Sequence, residues 1–148
     1  MLIVGFAGVF GRILTAEQFA TNMGIFIGGI TDSPYVVLFM LNILMLLMGL
    51  ILNVTPNIIL LSPVVFPLVY RFGIDPIHFG VVMVINIMIG QLTPPVGVVS
   101  FAVVEAAKVK FDKYLKELGP FLVVLFITLM VLTYVPALVT WLPNLVFG

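Results

Sequence analysis

The chain has 148 residues, of which 63% are hydrophobic and 8% charged, and its mean hydropathy is +1.35. Soluble domains carry about 25% charged residues, so this is the composition of an integral membrane protein embedded in a lipid bilayer. A net charge of zero without a basic run excludes nucleic acid as a partner, and zero cysteines exclude disulfide scaffolds, thiolate catalysis and most zinc sites. One His, three Asp and three Glu, widely scattered, do not make a hydrolytic or metal-centred active site, so no catalytic residue is assigned and the chain is not read as an enzyme.

Residues 1–33 divide into two parts. The first 14 are apolar, Gly-rich and closed by Arg12, short of the roughly 20 residues a full crossing needs, and read as the tail of a transmembrane helix that begins earlier. They carry no basic n-region or clear cleavage site, so they are not read as a signal peptide. Thr15 is the expected N-cap of the next helix, on which Phe19, Met23, Phe26, Ile27 and Ile30 share a face. That face suits an interfacial or bracing arm, or a plain connecting helix.

Thr31-Asp32-Ser33-Pro34 is a helix start, with Asp32 or Ser33 as cap and Pro34 at the first helical position. Residues 35–52 are apolar on every face except at Asn42, and the run stops at Asn53-Val54-Thr55-Pro56-Asn57. Thr55 is the expected cap of a new helix with Pro56 first in it. The segment from 57 to 70, interrupted by Ser62, Pro63 and Pro67, would be only about 20 Å long. Residues 34–70 are therefore read as a re-entrant hairpin with its tip at 53–57; the competing reading is an ordinary span followed by a kinked one. Gly73 closes this unit, Asp75 caps the next helix, Pro76 opens it, and His78 just inside suits a hydrogen-bonded anchor better than a proton relay.

Residues 71–107 hold a long apolar run cut open at Gly90-Gln91-Leu92-Thr93-Pro94-Pro95. Two prolines after a glycine end one half-helix and start another, and a span broken in lipid must bury its free backbone groups in protein or line a cavity with them. Residues 108–118, with four Lys, form the expected solvated cytoplasmic loop with a short amphipathic helix, and 119–148 carry the last span, over 120–142, kinked at Pro136 with Tyr134 and Trp141 at the headgroups. Together these elements describe an all-α polytopic membrane protein with a re-entrant helical hairpin and a discontinuous transmembrane helix.

The two breaks share a grammar, Asn53-Val-Thr55-Pro56 and Gln91-Leu-Thr93-Pro94: an amide side chain, then Thr-Pro two residues on. An arriving half-helix offers carbonyl oxygens that suit a cation such as Na⁺, and a departing one offers N–H groups that suit a carboxylate. The amides of Asn53, Asn57 and Gln91 and the hydroxyls of Thr55 and Thr93 would complete such a site. Asn86 and Gly90 precede the second break on the same face, where Asn86 either adds an oxygen or bonds across helices. The eight Met read as adaptable packing.

The series Gly49-Leu-Ile-Leu-Asn53-Val-Thr55-Pro56, Ser62-Pro63, Pro67, Gly73-Ile-Asp75-Pro76-Ile-His78-Phe-Gly80, Asn86 to Gly90 and Thr93-Pro94-Pro95-Val96-Gly97 closely resembles the C-terminal part of the large membrane subunit of tripartite ATP-independent periplasmic (TRAP) transporters. The resemblance implies a sodium-driven importer of organic acids such as C4-dicarboxylates or sialic acid, with Na⁺ as coupling ion and no other cofactor or metal. It also implies a location in the bacterial inner membrane, an elevator-like motion, a small membrane subunit and a periplasmic substrate-binding protein as partners, and two inverted halves. Only one half is legible here, so the other is expected outside this sequence. Gly49, Asn53, Thr55 and Pro56 would match the hairpin tip; Asn86, Gly90, Thr93, Pro94 and Gly97 would match the broken helix. The sequence departs at Asn53, where the resemblance leads one to expect an acidic residue. The alternatives are another anion/sodium symporter or a structural subunit that does not transport.

Overall fold

The computed structural model describes residues 2–31, 33–94 and 97–147, and the described residues form eight α-helices and no strand. Asp32, one of the two expected caps, and Pro95, in the expected break, lie outside the described residues. The helices are α1 (Leu2–Ala16), α2 (Phe19–Ile30), α3 (Pro34–Ile51), α4 (Val54–Arg71), α5 (Pro76–Leu92), α6 (Val98–Ala107), α7 (Phe111–Tyr134) and α8 (Ala137–Phe147). Three of them, α3, α4 and α7, are long and apolar enough to cross a bilayer, and α5 is a shorter apolar helix. The protein is thus an all-α, polytopic membrane protein.

Local chemistry sets most boundaries. The Asp75 carboxylate accepts from the N–H groups of Ile77 (2.8 Å) and His78 (2.9 Å), with Pro76 first in α5. Gly73, at φ +67°, ends α4: Ile74 N–H donates to the Val69 carbonyl at 2.9 Å and Gly73 N–H to that of Tyr70 at 3.2 Å. These two hydrogen bonds, with Val69 and Ile74 in the same buried cluster, make a Schellman closure, whose left-handed conformation glycine adopts without strain.

Other boundaries correct the sequence reading. Thr15 does not cap α2, because α1 continues through Ala16 and the turn falls on Glu17 and Gln18, the latter in the left-handed region at φ 49°. On α2 only Met23 and Ile27 of the described face enter the core, while Phe26 and Ile30 point outward. Asn53, not Thr55, is the N-cap of α4, which places Thr55 and Pro56 inside its first turn. The helix then passes through Pro63 and Pro67 to reach 18 residues, about 27 Å, so the expected shortness of this segment does not hold. Prolines four apart open their two carbonyl gaps on one face and leave the opposite face bonded. In the Lys segment the loop shortens to the turn at 108–110: Lys108, at φ 53°, ends α6, and the helix that begins at Phe111 is continuous with the last span instead of separate and short. Nor does the last span run to 142. It stops at Tyr134, because Pro136 has no N–H for the Leu132 carbonyl and holds Val135 out of helical conformation (φ −118°, ψ 78°).

A core of α2, α3, α4 and α5 side chains includes Ile27, Val37, Leu41, Met45, Leu61, Val65, Leu68, Phe79 and Met83. A second cluster joins Val82 and Ile89 of α5 to Leu129 of α7. Pairings along α3 give its direction: Tyr35 meets Tyr134, Asn42 meets Asn86, Gly49 meets Gly90, and Leu52 meets Gln91. Helix α3 therefore runs parallel to α5, α4 returns, and the end of α3 lies level with the end of α5. Tyr35, Tyr70 and Tyr134 are exposed around the opposite end, as interfacial aromatics are.

Candidate ion and substrate site

The two helix breaks are adjacent. One turn before them, α3 and α5 cross at Gly49 and Gly90 with backbone touching backbone. A Cβ on Gly49 would lie 2.8 Å from the Ile87 carbonyl oxygen, and one on Gly90 would lie 2.8 Å from that of Leu46 and 2.9 Å from Gly49 Cα. Only glycine on both helices permits this approach. It brings the Gln91 side chain, 7% exposed, to the end of α3, where its Nε2 donates to the Leu52 carbonyl at 3.3 Å. That carbonyl lacks a helical donor because Leu52 is extended and lies between the two helices, outside both. The amide from one break thus satisfies the orphan acceptor of the other.

The breaks are not alike in detail, which corrects the expectation of a shared grammar. At the first, a single turn of direction separates α3 from α4; Asn53 is exposed and makes no side-chain cap bond, and Thr55 is exposed as well. At the second, Gln91 is still helical, and Thr93 ends the arriving helix instead of starting the departing one. Thr93 donates its N–H to the carbonyls of Ile89 and Gly90, both at 3.1 Å, and its Oγ1–H to Ile89 at 2.8 Å. Pro94 follows, half-buried, and the departing helix is capped by Gly97. Around Gly97 the backbone oxygens crowd: a Cβ there would lie 2.6 Å from the Gln91 oxygen and 3.0 Å from that of Thr93. Carbonyl oxygens gathered at one helix end, of which that of Thr93 also accepts from Gly97 N–H at 3.3 Å, and N–H groups without a side-chain cap at the start of α4 and α6 can serve a cation and an anion respectively, with no buried formal charge.

Asn57 and Asn86, both 0% exposed, carry the strongest sign that polar chemistry is unfinished here. Neither Nδ2 nor Oδ1 of Asn57 has a partner, and Asn86 Oδ1 has none. A buried amide atom left unpaired costs about 1–3 kcal/mol. Asn86 Nδ2 donates to Asn42 Oδ1 at 2.7 Å and to the Asn42 carbonyl at 3.1 Å. Asn42 Nδ2 donates in turn to Thr133 Oγ1 at 3.0 Å, linking α5, α3 and α7. Among the described residues no group of His, Asp and Glu is placed to hold a metal ion.

The Asn42–Thr133 link was not legible beyond Asn42 being the one polar residue in its run, because 91 positions separate the partners. His78, the expected anchor, is buried with Nε2 2.7 Å from the Leu132 carbonyl. A carbonyl only accepts, so the ring donates from Nε2, to the very oxygen that Pro136 leaves without a donor.

Broken helices whose ends meet inside an apolar bundle recur among secondary transporters. Comparison gives the family. The chain matches the family described as "Tripartite ATP-independent periplasmic transporter, DctM component" over residues 1–138, and it belongs to that family. It is 34% identical over 144 residues to the C4-dicarboxylate TRAP transporter large permease protein DctM of Pseudomonas aeruginosa, covering 97% of this chain and 34% of the relative. It is 36% identical over 140 residues to the sialic acid TRAP transporter large permease protein SiaM of Vibrio cholerae (95% and 33%). Against the isethionate TRAP transporter permease protein DctMQ of Oleidesulfovibrio alaskensis it is 35% identical over 138 residues (93% and 22%). The chain thus spans about a third or less of the length of these relatives, all of them named as transport permeases and not as enzymes.

Proposed function

We propose that this chain forms one half of the transport site in the permease subunit of a sodium-coupled importer of organic acids, of the C4-dicarboxylate or sialic acid kind. The single observation that carries the reading is the Gln91 Nε2 bond to the Leu52 carbonyl, which seats the two breaks side by side. The carbonyls around Gln91, Thr93 and Gly97 take Na⁺, and the open N-termini of α4 and α6 take the substrate carboxylate. Helices α3 and α4 act as a re-entrant hairpin: their tip stops level with the end of α5, whereas α6 and the first turns of α7 extend past it. Because α3, α4 and α5 share one core and the Gly49–Gly90 crossing, they move as one body, elevator fashion, against a scaffold supplied by the rest of the permease. By the positive-inside rule the Lys residues between 108 and 116 face the cytoplasm of the bacterial inner membrane. A small membrane subunit and a periplasmic binding protein that delivers substrate complete the assembly.

The reading is tested on the complete purified permease by thermal unfolding in NaCl against KCl, since a ligand that binds only the folded state raises the melting temperature. Stabilisation by Na⁺ alone, and its weakening in Thr93→Ala, are expected. Equal behaviour in the two salts would refute sodium coupling, and an unaltered sodium response in Thr93→Ala would refute the site. Uptake of a panel of sialic acid, dicarboxylates and keto acids into proteoliposomes then assigns the substrate.

A further inference from the structure

The second break is held shut by a side chain that belongs to neither break motif. Ser100, third residue of α6 and 1% exposed, donates its Oγ–H to the Leu92 carbonyl at 2.9 Å, across the gap from the departing helix to the arriving one. Its N–H donates to the Gly97 carbonyl at 3.0 Å, and its Oγ accepts from the Tyr114 hydroxyl at 3.2 Å. Tyr114 is itself braced: its ring leans on Phe111 at 6.3 Å, and Phe111 stacks on Phe101 of α6 at 5.2 Å and 11°. The first turn of α7 is therefore tied, through two hydroxyls, to the last carbonyl of α5.

This geometry gives Ser100 a positioning role. The one proton of Ser100 is spent on Leu92 and one of its two lone pairs is engaged by Tyr114, so its hydroxyl is committed to bridging the break. What it fixes is the peptide direction at Leu92. The Leu92 carbonyl lies between those of Gln91 and Thr93, which both crowd Gly97, so holding the Leu92–Thr93 peptide plane limits the φ/ψ freedom through which the neighbouring oxygens could turn. Cation sites built from backbone oxygens depend on that aim.

We propose that Ser100 and Tyr114 are positioning residues that set the direction of the Gln91, Leu92 and Thr93 carbonyl oxygens and so tune the sodium affinity of the second break, an inference that rests on the sodium reading above. It places a control point on the Lys-bearing side of the protein, at the start of α7, outside the motifs of either break. The test titrates the melting temperature of the complete permease with NaCl at constant ionic strength, choline chloride making up the balance, for wild type, Ser100→Ala, Ser100→Thr and Tyr114→Phe. Loss of one neutral hydrogen bond predicts a rise in half-saturating Na⁺ of roughly three- to tenfold in Ser100→Ala and a smaller rise in Tyr114→Phe. Ser100→Thr, which keeps the hydroxyl, should restore the wild-type value, and Tyr114→Phe should keep the wild-type melting temperature without sodium. Unchanged half-saturation in Ser100→Ala and Tyr114→Phe, with wild type responding to Na⁺, overturns this inference alone, as does a shift in Ser100→Thr as large as in Ser100→Ala. A wild-type protein indifferent to Na⁺ overturns the sodium reading and this inference with it. Should Ser100→Ala fail to fold, Tyr114→Phe carries the test by itself, since it removes one oxygen from a half-buried ring.

Discussion

Replacing Gly90 by Ala probes the contact on which the site geometry hangs. The new Cβ would sit 2.8 Å from the Leu46 carbonyl oxygen, 2.9 Å from Gly49 Cα and 3.0 Å from the Gly49 carbonyl carbon. All three are backbone atoms, so no side chain can swing away and α3 must lift from α5. Opening from 2.8 Å to an ordinary 3.4 Å contact is a displacement of about 0.6 Å. Overpacking of this kind costs about 1–3 kcal/mol, and the helical preference of Ala over Gly returns about 0.5–1 kcal/mol, so a net loss of about 1 kcal/mol, and at most about 2.5 kcal/mol, is expected. The same lift acts on the Gln91 Nε2 bond to Leu52, which at 3.3 Å is already long and does not survive a further 0.6 Å. Equilibrium unfolding of the complete permease in mixed micelles measures the stability, and the sodium titration of its melting temperature measures the site. Gly80→Ala on the same helix is the control. Nothing lies within 4 Å of a Cβ there, so it should be neutral or stabilising. If Gly90→Ala were as stable as Gly80→Ala and kept the wild-type sodium response, the close crossing would not exist as described.

Two further outcomes follow from the polar contacts between helices. In a double-mutant cycle of Asn42→Leu and Asn86→Leu, the double variant should be less destabilised than the sum of the singles by about 0.6 to 1.7 kcal/mol, the range for hydrogen bonds within membranes, because each single strands the partner amide; strict additivity in unfolding experiments would remove the Asn42–Asn86 link. His78→Leu leaves the Leu132 carbonyl without a donor at a cost of about 1–3 kcal/mol, and Pro136→Ala supplies an N–H four residues on, so His78→Leu should cost less in a Pro136→Ala background; an equal cost in both backgrounds would show that Pro136 does not create the need for His78.

Much of this protein is decided locally and is therefore written in its sequence. Low charge and sustained apolarity commit it to the bilayer. Asp75-Pro76 and Gly73 fix a helix start and a helix end because capping and left-handed backbone act over four or five residues. The prolines and amides at 53–57 and 90–94 announce that two apolar runs must break. Local rules misplace what depends on competition between near-equal ends: Asn53 outcompetes Thr55 as cap, Thr93 closes a helix it seemed to open, and α7 begins in the Lys segment because tertiary contacts of Phe111 and Tyr114 reward the extra turns. Tertiary structure alone decided which residues meet. No pattern in the sequence pairs Gly49 with Gly90, Gln91 with Leu52, or Ser100 with Leu92 and Tyr114, since such contacts depend on how helices cross, and a crossing is selected by the fit of whole surfaces. The sequence determined that there would be two breaks; the packing of α3 on α5 put them in one place, where the orphan carbonyl of one receives the amide of the other.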